Sequence, residues 1–291
     1  MVNQRLELIL KKTVLVAVVF IAIAIGVVLI LDYIVDKDLI WKPDYLKTDL
    51  DHIIIKETLS KEDYDEVFKQ TGLGRLAIDR LRLDNDEASE VKAVLKKYQE
   101  NFFKPITVKC RKIGWITFEE NIVALEKKNI EAFQIANLRK GDVFITKSTH
   151  SIGWRHGHAA IVVDEEKKMT LESTLWGHDS TIQGVDKWRT YPSFMLLRLK
   201  NDDDGYKAAE IADYAREHMA GVPYGLLAGF PIKAPIPIKK THCSHLVWYP
   251  FYIHGYDIDS NGTWLVTPKD IANSDLFEVV QVYGVNPLEI W

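Results

Sequence analysis

Between Thr13 and Leu31 the chain runs nineteen residues without a charged side chain (TVLVAVVFIAIAIGVVLIL), softened only by Thr13 and Gly26. A helix rises about 1.5 Å per residue, so this stretch nearly spans the roughly 30 Å hydrocarbon core of a bilayer. Arg5, Lys11 and Lys12 precede it, and Asp32, Asp36 and Asp38 follow it. Positive charge stays inside, which predicts residues 1–12 in the cytoplasm, a single transmembrane pass over 13–31, and everything after it extracytoplasmic. Two rival readings exist. Ala22-Ile23-Ala24 has the small-x-small form of a signal-peptide cleavage site, but cutting there leaves IGVVLIL as a greasy new terminus. A buried core helix is the other. The expectation is an uncleaved anchor in the cell membrane.

The rest of the chain is that of a folded protein. Of 291 residues, 47% are hydrophobic and 27% charged, enough core for one or two domains. The 37 basic and 41 acidic residues leave a formal charge of −4, and no long basic tract occurs, which argues against a nucleic-acid partner. Two cysteines, Cys110 and Cys243, exclude a disulfide-stapled scaffold and a four-cysteine zinc module. Residues 32–56 read as a linker. Residues 57–138 read as a helical region: Ser60 and Asp63 form a capping-box pattern before SKEDYDEVFKQ, Gly72 and Gly74 interrupt it, GRLAIDRLRL continues, and a third helix is expected from Asp86 to Tyr98. The TGLG glycines read as helix caps, because no P-loop or dinucleotide fingerprint accompanies them. No cofactor is expected. From Leu138-Arg139-Lys140-Gly141-Asp142 onward the pattern changes to short strands (VFITKS, HAAIVVD, KMTLEST, SFMLLRLK) and then a helix near Asp204. This predicts an α+β domain over 139–291.

Cys243 lies in THCSHLVWYPFYIHG, just after the Pro-rich IKAPIPIKK, so it should occupy the first turn of a helix. There the helix dipole and unpaired backbone N–H groups favour a thiolate and can hold an oxyanion. Cys110, in ITVKCRKIGW, reads as a small buried hydrophobe. A thiolate nucleophile needs a base and a group to orient that base. His158 opens the strand HAAIVVD, and Glu172, in MTLEST, falls on an adjacent one, where a buried carboxylate needs a partner. Spacing alone does not bring the three together. His156, His158, His242, Cys243 and His245 also raise the possibility of zinc, but residues 242 and 243 point differently on a helix, so no metal site is expected. His156 and His242 read as loop or helix-surface residues.

Four separated segments carry a resemblance. RKGDVFITKSTHSIGWRHGHAAIVV is similar to the GD-strand-loop-His-strand signature of permuted papain-like cysteine hydrolases, the YiiX/YebB-like branch related to NlpC-type cell-wall peptidases. AGVPYG and THCSHLVW resemble the G-x-PY and C-S-x-LV segments of that superfamily, and the order His158, Glu172, Tyr224, Cys243 matches the permuted arrangement. The resemblance covers residues 135–276 and implies a permuted papain-like fold. It implies Cys243 as nucleophile, His158 as base, Glu172 as orienting residue and Tyr224 beside the oxyanion. It departs at His245, where relatives carry Glu, which changes the charge near the thiol. The implied activity is cleavage of an amide through a thioester, first in cell-wall (peptidoglycan) peptides. A lipid or fatty-acyl amide or ester is the alternative, since lecithin:retinol acyltransferase-like members share the permuted order. The loop YGLLAGFPIKAPIPIK could supply a greasy wall. A catalytically silent binding module is the third reading.

Overall fold

The computed structural model describes residues 2–35, 41–85, 87–123, 134–229 and 238–289. Asp36, Asp38, Asp86, residues 124–133 and the 230–237 part of the apolar loop lie outside them. Helix α1 (Val2–Val35) contains the apolar run and extends it: Ile9–Leu31, 23 residues, is long and apolar enough to cross a membrane. None of that window is buried, so it is not a core helix.

After α1 come the short α2 (Asp51–Ile54) and three amphipathic helices, α3 (Lys61–Thr71), α4 (Arg75–Asp84) and α5 (Ala88–Phe103). Ser60 and Asp63 form the capping box of α3, and Gly72, at φ 74°, ends it. Residues 57–138 are not helical throughout. Past Phe103 they form β1 (Val108–Lys112) and β2 (Thr117–Ile122), two antiparallel strands. With β4 (Thr149–Ser151) they make a three-stranded sheet ordered β1-β2-β4.

A six-stranded antiparallel sheet is ordered β7-β6-β5-β3-β8-β9. It comprises β3 (Val143–Thr146), β5 (His158–Asp164), β6 (Met169–Glu172), β7 (Thr181–Gly184), β8 (Phe194–Leu199) and β9 (Phe277–Tyr283). The central strands VFIT, HAAIVV and FMLLRL are buried along their length, because both faces of the sheet are covered. Helices α6 (Tyr206–Met219) and α7 (Cys243–Ile253) pack on β5 and on each other, and α8 (Pro268–Ala272) leans on α7 and β3. The architecture is α+β with antiparallel sheets.

The Gly141-Asp142 turn is tied inside this sheet. Arg198 on β8 donates to both carboxylate oxygens of Asp142, at 2.8 and 2.7 Å, and the pair is buried. The same carboxylate accepts from the Arg139 N–H, so the chain entering β3 is fixed before the first strand residue.

Candidate active site

Cys243 is the first residue of α7. Its neighbour His242 is the N-cap, in extended conformation, with its ring nitrogen facing the His245 N–H at 3.4 Å. The first amides of α7, at Cys243 and Ser244, have no acceptor within the helix and sit at its positive end. The Ser244 hydroxyl donates to the Val266 carbonyl at 2.9 Å, which locks the first turn to the segment before α8.

The sheet presents the candidate base. His158 is the first residue of β5, and the β5–β6 register sets Ala160 opposite Glu172, which places Glu172 diagonal to His158 on the neighbouring strand. The His158 Nε2 lies 2.8 Å from Glu172 Oε2. With Nε2 so engaged, Nδ1 is the ring nitrogen left to face Cys243, whose thiol and the His158 ring shift each other's protonation. His158 and Glu172 are 4% and 1% exposed. Their arrangement is over-determined: Thr170 donates to Glu172 Oε1 at 2.8 Å, the Trp188 indole N–H donates to the same oxygen at 3.0 Å, and Lys187 lies 3.5 Å from Oε2. The Trp188 ring also stacks on the imidazole, 5.6 Å between centroids and 12° from parallel.

These contacts decide the charges. Burial opposes ionisation of all three groups, and in each case the partners outweigh it. Hydrogen bonds from His158 and His242 hold the Cys243 thiol well below its ordinary value. Burial would push His158 down, but Cys243 and Glu172 raise it to about 9. Glu172, despite burial, is lowered to about 2, chiefly by His158. All three shifts run toward the charged form, which favours a thiolate beside an imidazolium with a carboxylate behind it.

Tyr224 lines the same cleft. Burial and the Cys243 charge raise its phenol, so it stays a hydrogen-bond donor. Its backbone is held by the His178 carbonyl at 3.1 Å and by a bridge to Thr241. His245, the departure from the expected glutamate, brings no charge. Burial and the neighbouring His242 push it down to about 3, and its Nδ1 lies 3.1 Å from the Thr241 hydroxyl. One expectation needs correction. His242 is not a helix-surface residue: it is buried, lines the cleft next to Cys243, lowers the thiol's pKa, and has an Nε2 without a hydrogen-bond partner among the described residues. His156 stands in the loop before β5, as expected, but it is not idle. It lines the cleft, with Nε2 3.1 Å from Ser151 Oγ and Nδ1 2.7 Å from the Gly157 carbonyl oxygen. His242 and Trp188 were the site residues that sequence reasoning missed. A histidine at an N-cap, a position that favours Ser, Thr, Asp or Asn, was the available signal for the first. Trp188 had none.

A second Cys–His–Glu group lies elsewhere. Cys110 faces Glu120 across β1 and β2, and His150 Nδ1 is 2.8 Å from Glu120 Oε1; the ligand-type atoms of the three lie within 4.8 Å of one another. Arg155 reaches the same Glu120 oxygen at 3.0 Å, which neutralises the carboxylate and opposes a cation there. Cys110 stands on a strand, without a helix terminus to hold an oxyanion, and outside the cleft that Cys243 lines. Of the two groups, the one around Cys243 has the arrangement that acyl transfer needs: a thiol whose pKa is lowered, an imidazole whose pKa is raised, and donors at a helix start. Comparison of the chain with family models, with curated proteins and with solved structures finds no match in any of the three.

Proposed function

We propose that this chain is a membrane-anchored cysteine hydrolase with a permuted papain-like catalytic domain facing away from the cytoplasm. The observation that carries the reading is the series Cys243–His158–Glu172, half-buried at the thiol and buried at the other two, which ends at the N-terminus of α7. The Cys243 thiolate adds to an amide or ester carbonyl, and the first amides of α7 with the Tyr224 hydroxyl receive the developing oxyanion. The His158 imidazolium gives its proton to the departing amine or alcohol, which leaves a thioester. Water then loses a proton to His158 and cleaves the thioester, restoring the ion pair. Glu172 takes no proton; it fixes the ring and supports its charge. The resemblance adds cell-wall peptides and fatty-acyl amides or esters as the two substrate classes, and the chemistry is the same for both.

Iodoacetamide labelling read by mass spectrometry tests the nucleophile. At pH 6 Cys243 should alkylate faster than Cys110, because the thiolate is already present. Equal rates, or labelling of Cys110 alone, would remove Cys243 from the role. Turnover of muropeptides or of acyl amides and esters by the wild type, absent in Cys243→Ala, separates an enzyme from a silent binding module.

A further inference from the structure

The cleft that holds Cys243 has an unusual wall. Among the described residues lining its roughly 290 Å³, none is Asp, Glu, Lys or Arg. Free carboxylates and amines of a cell-wall peptide would find no countercharge there. The wall is mainly apolar, and Ile116, Ile152, Trp154, Trp176, Leu226 and Leu265 belong to it. The volume is at the small end of ligand pockets (about 300–1,000 Å³), which suits one slim chain.

The apolar character does not stop inside. Trp176 and Trp154 are 85% and 50% exposed, and Ile116, Ile152 and Leu226 are exposed with them. The sequence neighbours Trp115, Leu227 and Trp264 are exposed as well, at 92%, 64% and 68%. Isolated surface hydrophobics need no explanation, but several loops presenting them around one mouth do. One is held there at a cost. Ile152 has φ 51°, the left-handed region that a β-branched residue avoids.

What covers this mouth follows from α1. Gly153, between Ile152 and Trp154, packs so closely on the end of the apolar helix that a methyl group on it would lie 2.3 Å from the Leu31 Cβ. Leu31 is the last residue of the apolar window. The mouth of the cleft therefore sits at the level where a membrane spanned by α1 would end, and tryptophan is the residue enriched at that interface. We infer that the rim rests in the bilayer surface and that the cleft takes the hydrocarbon chain of an acyl ester or amide drawn from that membrane. This inference rests on Cys243 being the nucleophile. The chain lies along the uncharged wall with its carbonyl at Sγ. The thiolate forms a thioester as the acyl–O or acyl–N bond breaks, the leaving alcohol or amine takes the His158 proton, and water releases the fatty acid.

The full chain reconstituted in phosphatidylcholine vesicles tests it, with p-nitrophenyl esters of increasing acyl length and with muropeptides as substrates. kcat/KM should rise roughly three- to fourfold for each methylene the cleft accepts, until it is full, and muropeptides should not turn over. Trp176→Ser, at a position too exposed to unsettle the fold, should flatten that rise. Tryptophan quenching by lipids brominated near the headgroup should fall in Trp154→Phe and Trp176→Phe. A Cys243 that alkylates fast with iodoacetamide but shows no chain-length dependence, no lipid quenching of these tryptophans, or turnover of muropeptides alone overturns the acyl-chain inference and leaves the nucleophile standing. A slow Cys243 overturns both.

Discussion

Four side chains converge on the carboxylate of Glu172: His158, Thr170, Trp188 and Lys187. Glu172→Gln keeps the size and withdraws the charge, and should lower turnover by roughly 10²–10⁴-fold, whereas His158→Ala should abolish it. The double variant should be scarcely worse than His158→Ala, because residues that act as a unit are not additive. The charges also fix a pH profile. Imidazolium persists up to about 9, so turnover in the wild type should fall as pH rises through that value, and the fall should move to lower pH in Glu172→Gln. Stability follows the same groups. Glu172, held at about 2 against an ordinary 4.5, contributes stability that is present above 4.5 and lost as pH falls toward 2. His158 contributes stability that is fully present below 6.5 and lost as pH rises through 9. Urea titrations across pH check both limbs. Trp188→Phe keeps the stacked ring but drops the N–H donor. It should lower kcat and shift the alkaline limb while leaving KM nearly unchanged, a pattern that loss of packing alone does not produce.

At the scale of elements, what could be read from the sequence was local. The apolar run after a Pro-rich stretch put Cys243 at a helix start, and strand patterns put His158 and Glu172 on neighbouring strands, where the register sets them diagonally. Trp188 could not be read, because its place against His158 depends on a 3₁₀ turn (Val185–Thr190) folding back over β5 and β6. The two strands after Phe103 went unread because VKCRK is short and polar and pairs with a segment beyond a turn. The TGLG glycines cap a helix, as read, and have a second role that is tertiary. Gly74 donates to Val280 at 2.8 Å, and Gly72 accepts from Val282 at 2.7 Å, so this turn covers the β9 edge of the large sheet. A methyl at Gly74 would lie 1.9 Å from the Val279 oxygen, so Gly74→Ala should cost about 2–3 kcal/mol in thermal or urea unfolding. Removing one partner of the buried Arg198–Asp142 pair, as in Asp142→Ala, should cost about 3–5 kcal/mol by the same measurement.

For the whole molecule, the direction of α1 is the first thing to establish. A C-terminal reporter that folds only outside the cytoplasm should be active, and one that works only inside should be silent; the reverse pattern would turn the proposed topology over. The close packing of Gly153 on Leu31 then has a kinetic meaning. A thiol whose apolar approach opens beside the end of a membrane helix searches for substrate in two dimensions. Its rate should track the mole fraction of substrate among the lipids and ignore its bulk concentration. Adding inert lipid to the same vesicles should slow the reaction, and diluting the whole suspension with buffer should not change turnover per molecule.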